Sequence, residues 1–318
     1  MTLTELKYIV AVGRTLHFGK AAEACFVSQP TLSVAIKKLE EELGVTLFER
    51  GMNEIQPTPV GKRIIAQAQE VLTQAERIRQ LANEGKEQLK EPLRLGVIYT
   101  IGPYLLPRLI PILHELAPEM PLIIREDYTE NLRTALKSGE IDVAILSLPF
   151  EEPGLRTQIL YEEPFVLALP SSHRWVKRKS IHPEELSGET LLLLGAGNCF
   201  REQVLKACPG CIPAVTIQEG SIQKTLESSS LETIRQMAAS GAGITVLPCT
   251  SAGKGMDVNG LLTIKPFSKP VPSREVVLVW RNSFPREEAV KTIHQAVMDT
   301  PLSCVIKSSE EIKIPAPI

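Results

Sequence analysis

No stretch of this sequence approaches the roughly 18 consecutive apolar residues that a membrane-spanning helix needs, so no membrane partner is expected. The opening, Met1-Thr-Leu-Thr-Glu-Leu-Lys7, lacks the basic region and apolar core of a secretory signal, which makes a cytoplasmic location the expectation. An excess of positive charge is missing as well. Lys and Arg number 35 against 37 Asp and Glu, a net charge of −2, so composition alone gives no hint of a nucleic-acid partner. Metal-ligand clusters are also lacking: Cys208 and Cys211 stand at CxxC spacing, but no nearby CxxC or His pair completes a set of four. Neither a metal nor a cofactor is expected. What is there is 318 residues, 43% hydrophobic and 23% charged, the composition of an ordinary folded protein with room for two or three domains.

Six cysteines are present, at 25, 199, 208, 211, 249 and 304. Without export they are reduced by default, and any disulfide is expected to be transient or regulatory. Three of them fall in Gly195-Ala-Gly-Asn-Cys-Phe-Arg-Glu-Gln-Val-Leu-Lys-Ala-Cys-Pro-Gly-Cys211, which reads as a loop, a short helix and a turn. Asn198 is a good N-cap, so Cys199 takes the first helical position, where unpaired N–H groups favour an anion. Arg201 adds positive charge close by, and both effects favour a nucleophilic thiolate. Cys208 lies nine residues on, about 13 Å along the helix and on its opposite face. A disulfide needs Cα atoms within about 7 Å, so these two thiols can bond only if the helix unwinds. Cys208 and Cys211 need no such refolding and form a competing pair. Cys25, Cys249 and Cys304 read as packing or incidental thiols.

The chain opens with helical patterns. Leu3, Leu6, Ile9 and Val10 define a helix near 4–13, Phe18 to Cys25 a short alanine-rich one, and Leu32, Ala35, Ile36 and Leu39 a third that Ser28 caps and that runs to about Glu42. Two helices joined by a short turn, with polar groups at the start of the second, suggest a helix-turn-helix. Gly44 to Arg50 and Ile55 to Thr58 read as a two-stranded wing, from which Arg50 and Thr58 can reach phosphates. Within 1–58 there are six basic and seven acidic residues, so any DNA contact is local to this face.

Phe18-Gly-Lys-Ala-Ala, Val27-Ser-Gln-Pro-Thr-Leu-Ser, Ile36-Lys-Lys-Leu-Glu, Leu43-Gly, Leu47-Phe-Glu-Arg and Thr58-Pro-Val-Gly resemble, in order and spacing, the winged helix-turn-helix of LysR-type transcriptional regulators. The resemblance places Ser28, Gln29, Thr31, Ser33 and Lys37 on the face that meets the major groove. It places Arg50 and Thr58 in the wing that grips the backbone.

Downstream, Ile64, Ala68, Val71, Ala75, Ile78 and Ala82 form a heptad seam. A helix over 59–88 is therefore expected to pair with a second copy and fix the spacing of two reading heads, with 84–92 as the hinge. From 92 onward strands and helices alternate: strands at 93–99, 122–127 and 143–148 with helices near 103–116 and 130–138, then strands at 165–170, 191–194, 215–218 and 244–248 with helices near 199–207 and 230–240. A strand at 276–280 and a helix near 286–298 follow. That rhythm argues for a parallel sheet. The fold class expected is α/β with an all-α winged helix-turn-helix head. The effector domain, 92–303, resembles the two-lobed periplasmic-binding-protein-like unit of LysR regulators, with lobe I at about 92–162 and 269–303 and lobe II at about 163–268. Residues 304–318 read as a loose tail.

Tyr99-Thr-Ile-Gly-Pro-Tyr-Leu-Leu-Pro, Leu192 to Val204, Ser230-Leu-Glu-Thr-Ile-Arg-Gln-Met and Gly243-Ile-Thr-Val-Leu-Pro are similar to the OxyR-type peroxide sensors among these regulators. That resemblance implies a peroxidatic Cys199, a resolving Cys208, and Thr100 and Thr129 holding the peroxide, with Asn198 and Arg201 beside them. Asn198 departs from the branch, where histidine is frequent, and cannot titrate near neutral pH. Cys211 adds a possible third thiol. The implied function is that of a homodimeric or homotetrameric activator, not an enzyme. Its partners would be promoter DNA, RNA polymerase, hydrogen peroxide as signal and a thiol reductant for reset. The alternative is a LysR regulator answering a small metabolite in the cleft between lobes.

Overall fold

The structure is a computed structural model that describes residues 1–50, 55–83, 88–208, 225–228, 230–253 and 260–308. It divides into two units, 1–86 and 87–318. In the first, α1 (Leu3–Thr15), α2 (Phe18–Ala24) and α3 (Gln29–Leu43) each begin at a side-chain cap. Thr2 forms a reciprocal capping box with Glu5, His17 Nδ1 accepts from Gly19 N–H and Lys20 N–H, and Ser28 Oγ accepts from Thr31 N–H. Gly44 stops α3 with a left-handed φ of 68°, a conformation that costs glycine nothing. Strands β1 (Phe48–Arg50) and β2 (Ile55–Pro57) pair antiparallel as the wing. The helix that follows, α4 (Pro59–Asn83), packs its first turns on the head through Ile64, Ile65, Ala68 and Leu72. Later seam residues Val71 and Ile78 are exposed.

The second unit begins with β3 (Leu93–Ile98), α5 (Gly102–Leu116), β4 (Leu122–Asp127), α6 (Thr129–Ser138) and β5 (Val143–Ser147). The three strands run parallel in the order β4-β3-β5. β5 is buried along its whole length, which explains its unbroken apolar sequence. The long strand β6 (Leu155–Pro170) then leaves this lobe and enters the next. There it meets β7 (Leu191–Leu194), α7 (Cys199–Ala207), β8 (Thr225–Ser228), α8 (Leu231–Ala239), β9 (Ile244–Pro248) and β10 (Leu262–Pro266). The chain returns along β11 (Ser273–Arg281) and α9 (Glu287–Asp299) and ends, as described, in β12 (Ile306–Lys307). Each lobe has its own apolar core, one around Val143–Leu146 and Val276–Val279, the other around Leu191–Leu194 and Leu167–Leu169.

Several expectations need correction. The sheet is mixed: β11 runs antiparallel to β5 and β6, and β6 antiparallel to β9 and β10, because the two crossing segments traverse the lobes in opposite directions. β6 begins ten residues before the expected 165, and Glu162, Glu163 and Pro164 interrupt its strand pattern. The segment from 304 is not loose as far as it is described. Ile306 and Lys307 pair with Glu162 and Tyr161, Ser308 N–H donates to Leu160 O at 2.9 Å, and Lys307 Nζ donates to Thr300 O at 2.7 Å. Cys249 and Cys304 are not incidental thiols; they are disulfide-bonded, with Cα atoms 6.1 Å apart. The expected hinge is held from residue 88, since Arg286 donates to the carbonyls of Gln88, Glu91 and Pro92. The strand expected at 215–218, and Cys211, lie outside the described residues.

Candidate functional site

In the head, the candidate DNA-reading residues follow from α3. Ser28, Gln29, Thr31 and Lys37 are exposed and Ser33 is half-buried, while Leu32, Ile36 and Leu39 pack inward. The helix thus presents one polar face over an apolar one. Part of that polarity is already used: Ser28 Oγ lies 2.8 Å from Thr31 Oγ1, and Lys37 Nζ is 3.8 Å from Glu41. Thr58 closes the wing onto α4. Its hydroxyl donates to Thr46 O and accepts from Gly61 N–H, both at 2.8 Å, so its proton is committed to joining wing and α4. For Arg50 the structure describes the backbone of β1, and the side chain lies outside the described residues. Phe26 is a feature that pattern reading passed over: it is 95% exposed, at a φ of +57°, two residues before the Ser28 cap.

In the second unit, the carboxyl ends of lobe I's parallel strands converge, the usual place for chemistry in an α/β sheet. Thr100 follows β3, Thr129 follows β4 and Ser147 ends β5. Opposite them α7 starts from lobe II. Asn198 Oδ1 accepts from Phe200 N–H at 3.2 Å, the cap expected, and this sets Cys199 in the first turn. Cys199 is half-buried, packs against the lobe I core, and its Sγ lies 3.9 Å from Ser147 Oγ. Gln203, one turn on, donates through Nε2 to Ser147 Oγ and to Leu148 O, both at 2.7 Å. Cys208 ends the same helix, fully buried in the lobe II core. The two thiols therefore stand at opposite ends of an intact helix, in separate cores.

A cleft of about 380 Å³ opens between the lobes, with Thr100 and Asn198 in its wall beside Tyr99, Glu126, Ser230 and Glu232. Thr129, Cys199 and Arg201 are not part of that wall. Thr129 Oγ1 and Gln203 Oε1 are buried and have no hydrogen-bond partner among the described residues. Such groups cost on the order of 1–3 kcal/mol each unless a ligand or water satisfies them. Arg201 donates to Leu194 O at 2.8 Å, closing the first turn of α7 back on β7. Partial desolvation raises the Glu126 carboxyl from its ordinary value. Burial and the Glu232 hydrogen bond raise the Tyr104 phenol further.

Behind Thr100 lies a group that the residue patterns did not reveal. Arg274 and Glu163, both wholly buried, pair at 2.7–2.8 Å. Arg274 also donates to Thr100 Oγ1 at 2.8 Å and to Thr100 O at 3.0 Å, and its guanidinium sits 5.2 Å from the Phe200 ring centre. Glu163 in turn accepts from the N–H and hydroxyl of Thr250. Arginine has donors only, so Thr100 Oγ1 accepts from it and keeps its own O–H to donate elsewhere. A single Arg just ahead of the apolar strand Val276–Trp280 was the one trace of this network in the sequence.

Comparison with known proteins agrees with this architecture. Residues 3–62 match the bacterial regulatory helix-turn-helix protein, lysR family, and residues 86–301 match the LysR substrate binding domain. The hydrogen peroxide-inducible genes activator of Pectobacterium carotovorum subsp. carotovorum is 38% identical over 286 residues, 90% of this chain and 92% of that one. The DNA-binding transcriptional dual regulator OxyR of Escherichia coli K12 is 36% identical over 313 residues, 97% of this chain and 100% of that one. A solved full-length OxyR variant from Pseudomonas aeruginosa is 49% identical with a TM-score of 0.78, covering 98% of this chain and 99% of that one. The chain belongs to the LysR family of bacterial helix-turn-helix regulators, in its OxyR branch.

Proposed function

We propose that this chain is a promoter-binding transcriptional activator that responds to hydrogen peroxide by oxidation of Cys199, with Cys208 as the resolving thiol. The observation that carries the reading is the placement of the two sulfurs. Cys199 stands at the N-terminus of α7 against lobe I, Cys208 at its C-terminus inside lobe II. In the first step the Cys199 thiolate attacks one peroxide oxygen, the O–O bond breaks, and hydroxide takes up a proton to leave as water. Cys199 becomes a sulfenic acid. The Cys208 thiol then attacks that sulfur and displaces a second water, closing the disulfide. Thr100, with its O–H left to donate, and the unpartnered Thr129 Oγ1 are suited to hydrogen-bond the peroxide or the leaving oxygen. The second step requires α7 to unwind, so oxidation state becomes lobe geometry.

The rest of the assignment follows the branch. Pairs or tetramers of this chain would join through the exposed part of the α4 seam and set two heads on promoter DNA through Ser28, Gln29, Thr31, Ser33 and Lys37. RNA polymerase would be recruited to the promoter, and a cellular thiol reductant would reset the switch; no catalytic turnover is required. The test is peptide mapping of thiols after a stoichiometric peroxide pulse, on wild type and on Cys211→Ser. A Cys199–Cys208 link in both is the expected result. A Cys208–Cys211 link with Cys199 left sulfenylated would replace the resolving step. No oxidation at Cys199 would refute the reading and favour a metabolite in the 380 Å³ cleft.

A further inference from the structure

We propose that Cys249 and Cys304 form a second oxidisable pair, independent of Cys199 and Cys208, whose closure clasps the C-terminal segment across the two lobes. The pair joins different bodies. Cys249 is buried at the end of β9, a lobe II strand. Cys304 lies in the segment after α9, where Leu302 and Val305 pack into the lobe I core. Their separation of 55 residues encloses the second crossing between lobes and the whole of β11 and α9. Closing so long a loop constrains the chain more than a short one would.

The position is not remote from the peroxide chemistry. Thr250, next to Cys249, donates to Glu163, and Glu163 holds the Arg274 that donates to Thr100. On the other side, β12 begins two residues after Cys304 and pairs with Tyr161 and Glu162, the residues just before Glu163 on β6. The clasp therefore brackets the point where β6 passes from one lobe to the other. Its two ends also differ in access: Cys304 is exposed and Cys249 is buried. Exposed disulfides are the ones that thiol reductants reach and that serve as labile or regulatory bonds.

The chemistry balances with a hydroperoxide as oxidant. The Cys304 thiolate attacks the O–O bond and gives a sulfenic acid and one water; the Cys249 thiol then displaces a second water and forms the S–S bond. Two thiols are oxidised as hydrogen peroxide is reduced to two waters. For reset, a thiol reductant attacks the bond at Cys304, the more exposed of the two residues, and Cys249 leaves as thiolate, after which the reductant's second thiol frees Cys304. None of these steps involves Cys199, so this proposal and the peroxide reading at Cys199 can fail separately.

The experiment uses the full chain, wild type and Cys199→Ser, reduced with dithiothreitol under native conditions, desalted and pulsed with hydrogen peroxide. Free thiols are trapped with iodoacetamide and the protein is digested with trypsin. A linked peptide joining Gln236–Lys254 to Thr292–Lys307 is expected in both proteins after the pulse and in neither before it. Failure of the link in Cys199→Ser would overturn the independence of the pair, and a link that survives native dithiothreitol would make it a fixed staple. The mechanical claim is read by amide exchange at Ser308, whose N–H donates to Leu160 O. Reduction, or Cys304→Ser at this exposed position, should speed that exchange by about tenfold or more, as local opening becomes easier. Unchanged exchange in both would overturn the clasp.

Discussion

Replacing Arg274 by methionine tests whether the buried pair behind Thr100 holds the lobes and the site together. Both partners are at 0% exposure, so neither can turn to water when the other is removed. Among the described residues, Arg274→Met leaves the Glu163 carboxylate buried with only the two Thr250 donors, a situation that costs about 3–5 kcal/mol. The sign of a second change separates charge from packing. Adding Glu163→Gln removes the stranded charge and keeps an acceptor for Thr250, so the double variant should recover roughly half of the loss, about 2 kcal/mol. The assay is urea unfolding of the full chain by tryptophan fluorescence. The two tryptophans, Trp175 and Trp280, lie one in each lobe core and none lies in the head. Arg274→Met should lower the midpoint on the order of 1–2 M. A double variant no more stable than Arg274→Met would refute the argument, since the cost would then be lost shape and not an unpaired charge. The same variant frees Thr100 from its donor, so sulfenylation of Cys199 by peroxide should slow while denatured-state thiol reactivity stays unchanged.

Two further outcomes follow from isolated features. The pKa of His294 is lowered by burial, and its Nε2 is buried without a partner among the described residues. The folded lobe therefore prefers the neutral ring: its contribution is complete above the ordinary histidine value of about 6.5 and is lost as pH falls through the depressed folded value. His294→Leu should remove that acid sensitivity, and parallel slopes of stability against pH for both proteins would contradict it. Phe26 holds a left-handed φ with almost no packing to compensate, a strain of roughly 1 kcal/mol for a bulky side chain. Phe26→Asn should raise the head's thermal midpoint by far-ultraviolet circular dichroism; a lower midpoint would mean that the ring stabilises the turn after all.

What pattern reading could reach was decided by how local each signal is. Ser28 and Asn198 cap their helices as expected because capping depends on three or four neighbouring residues. The apolar run of β5 and the helical periodicity of α4 are equally local. In β6 the strand formers Thr157, Ile159 and Tyr161 are cut off from Phe165–Leu169 by Glu162, Glu163 and Pro164, and the continuous strand depends on pairing with β11 and β12. β12 is two residues long and has no pattern to read. The Cys249–Cys304 bond and the Arg274–Glu163 pair join positions 55 and 111 apart, and nothing in the intervening sequence encodes that proximity. The thiols at 249 and 304 read as incidental because neither has a cysteine at motif spacing.

Under the proposed chemistry, one of the two sulfurs must leave its core, and the packing decides which. Moving Cys199 would break the Asn198 cap and pull out Phe200, which lies edge-on to Phe165 at 5.1 Å and beneath Arg274. Withdrawing a buried phenylalanine costs about 2–3 kcal/mol before its cation contact and the cap are counted. Moving Cys208 withdraws a small thiol and then Val204, each worth less. Cys208 is also already outside helical geometry, at φ −126° and ψ 71°, the bias that the following Pro209 imposes. The cheaper motion therefore unravels α7 from its C-terminal end and carries Cys208 out of lobe II toward a Cys199 that stays capped against lobe I. The peroxide-facing end of the helix is the fixed end, and the signal is written by the other.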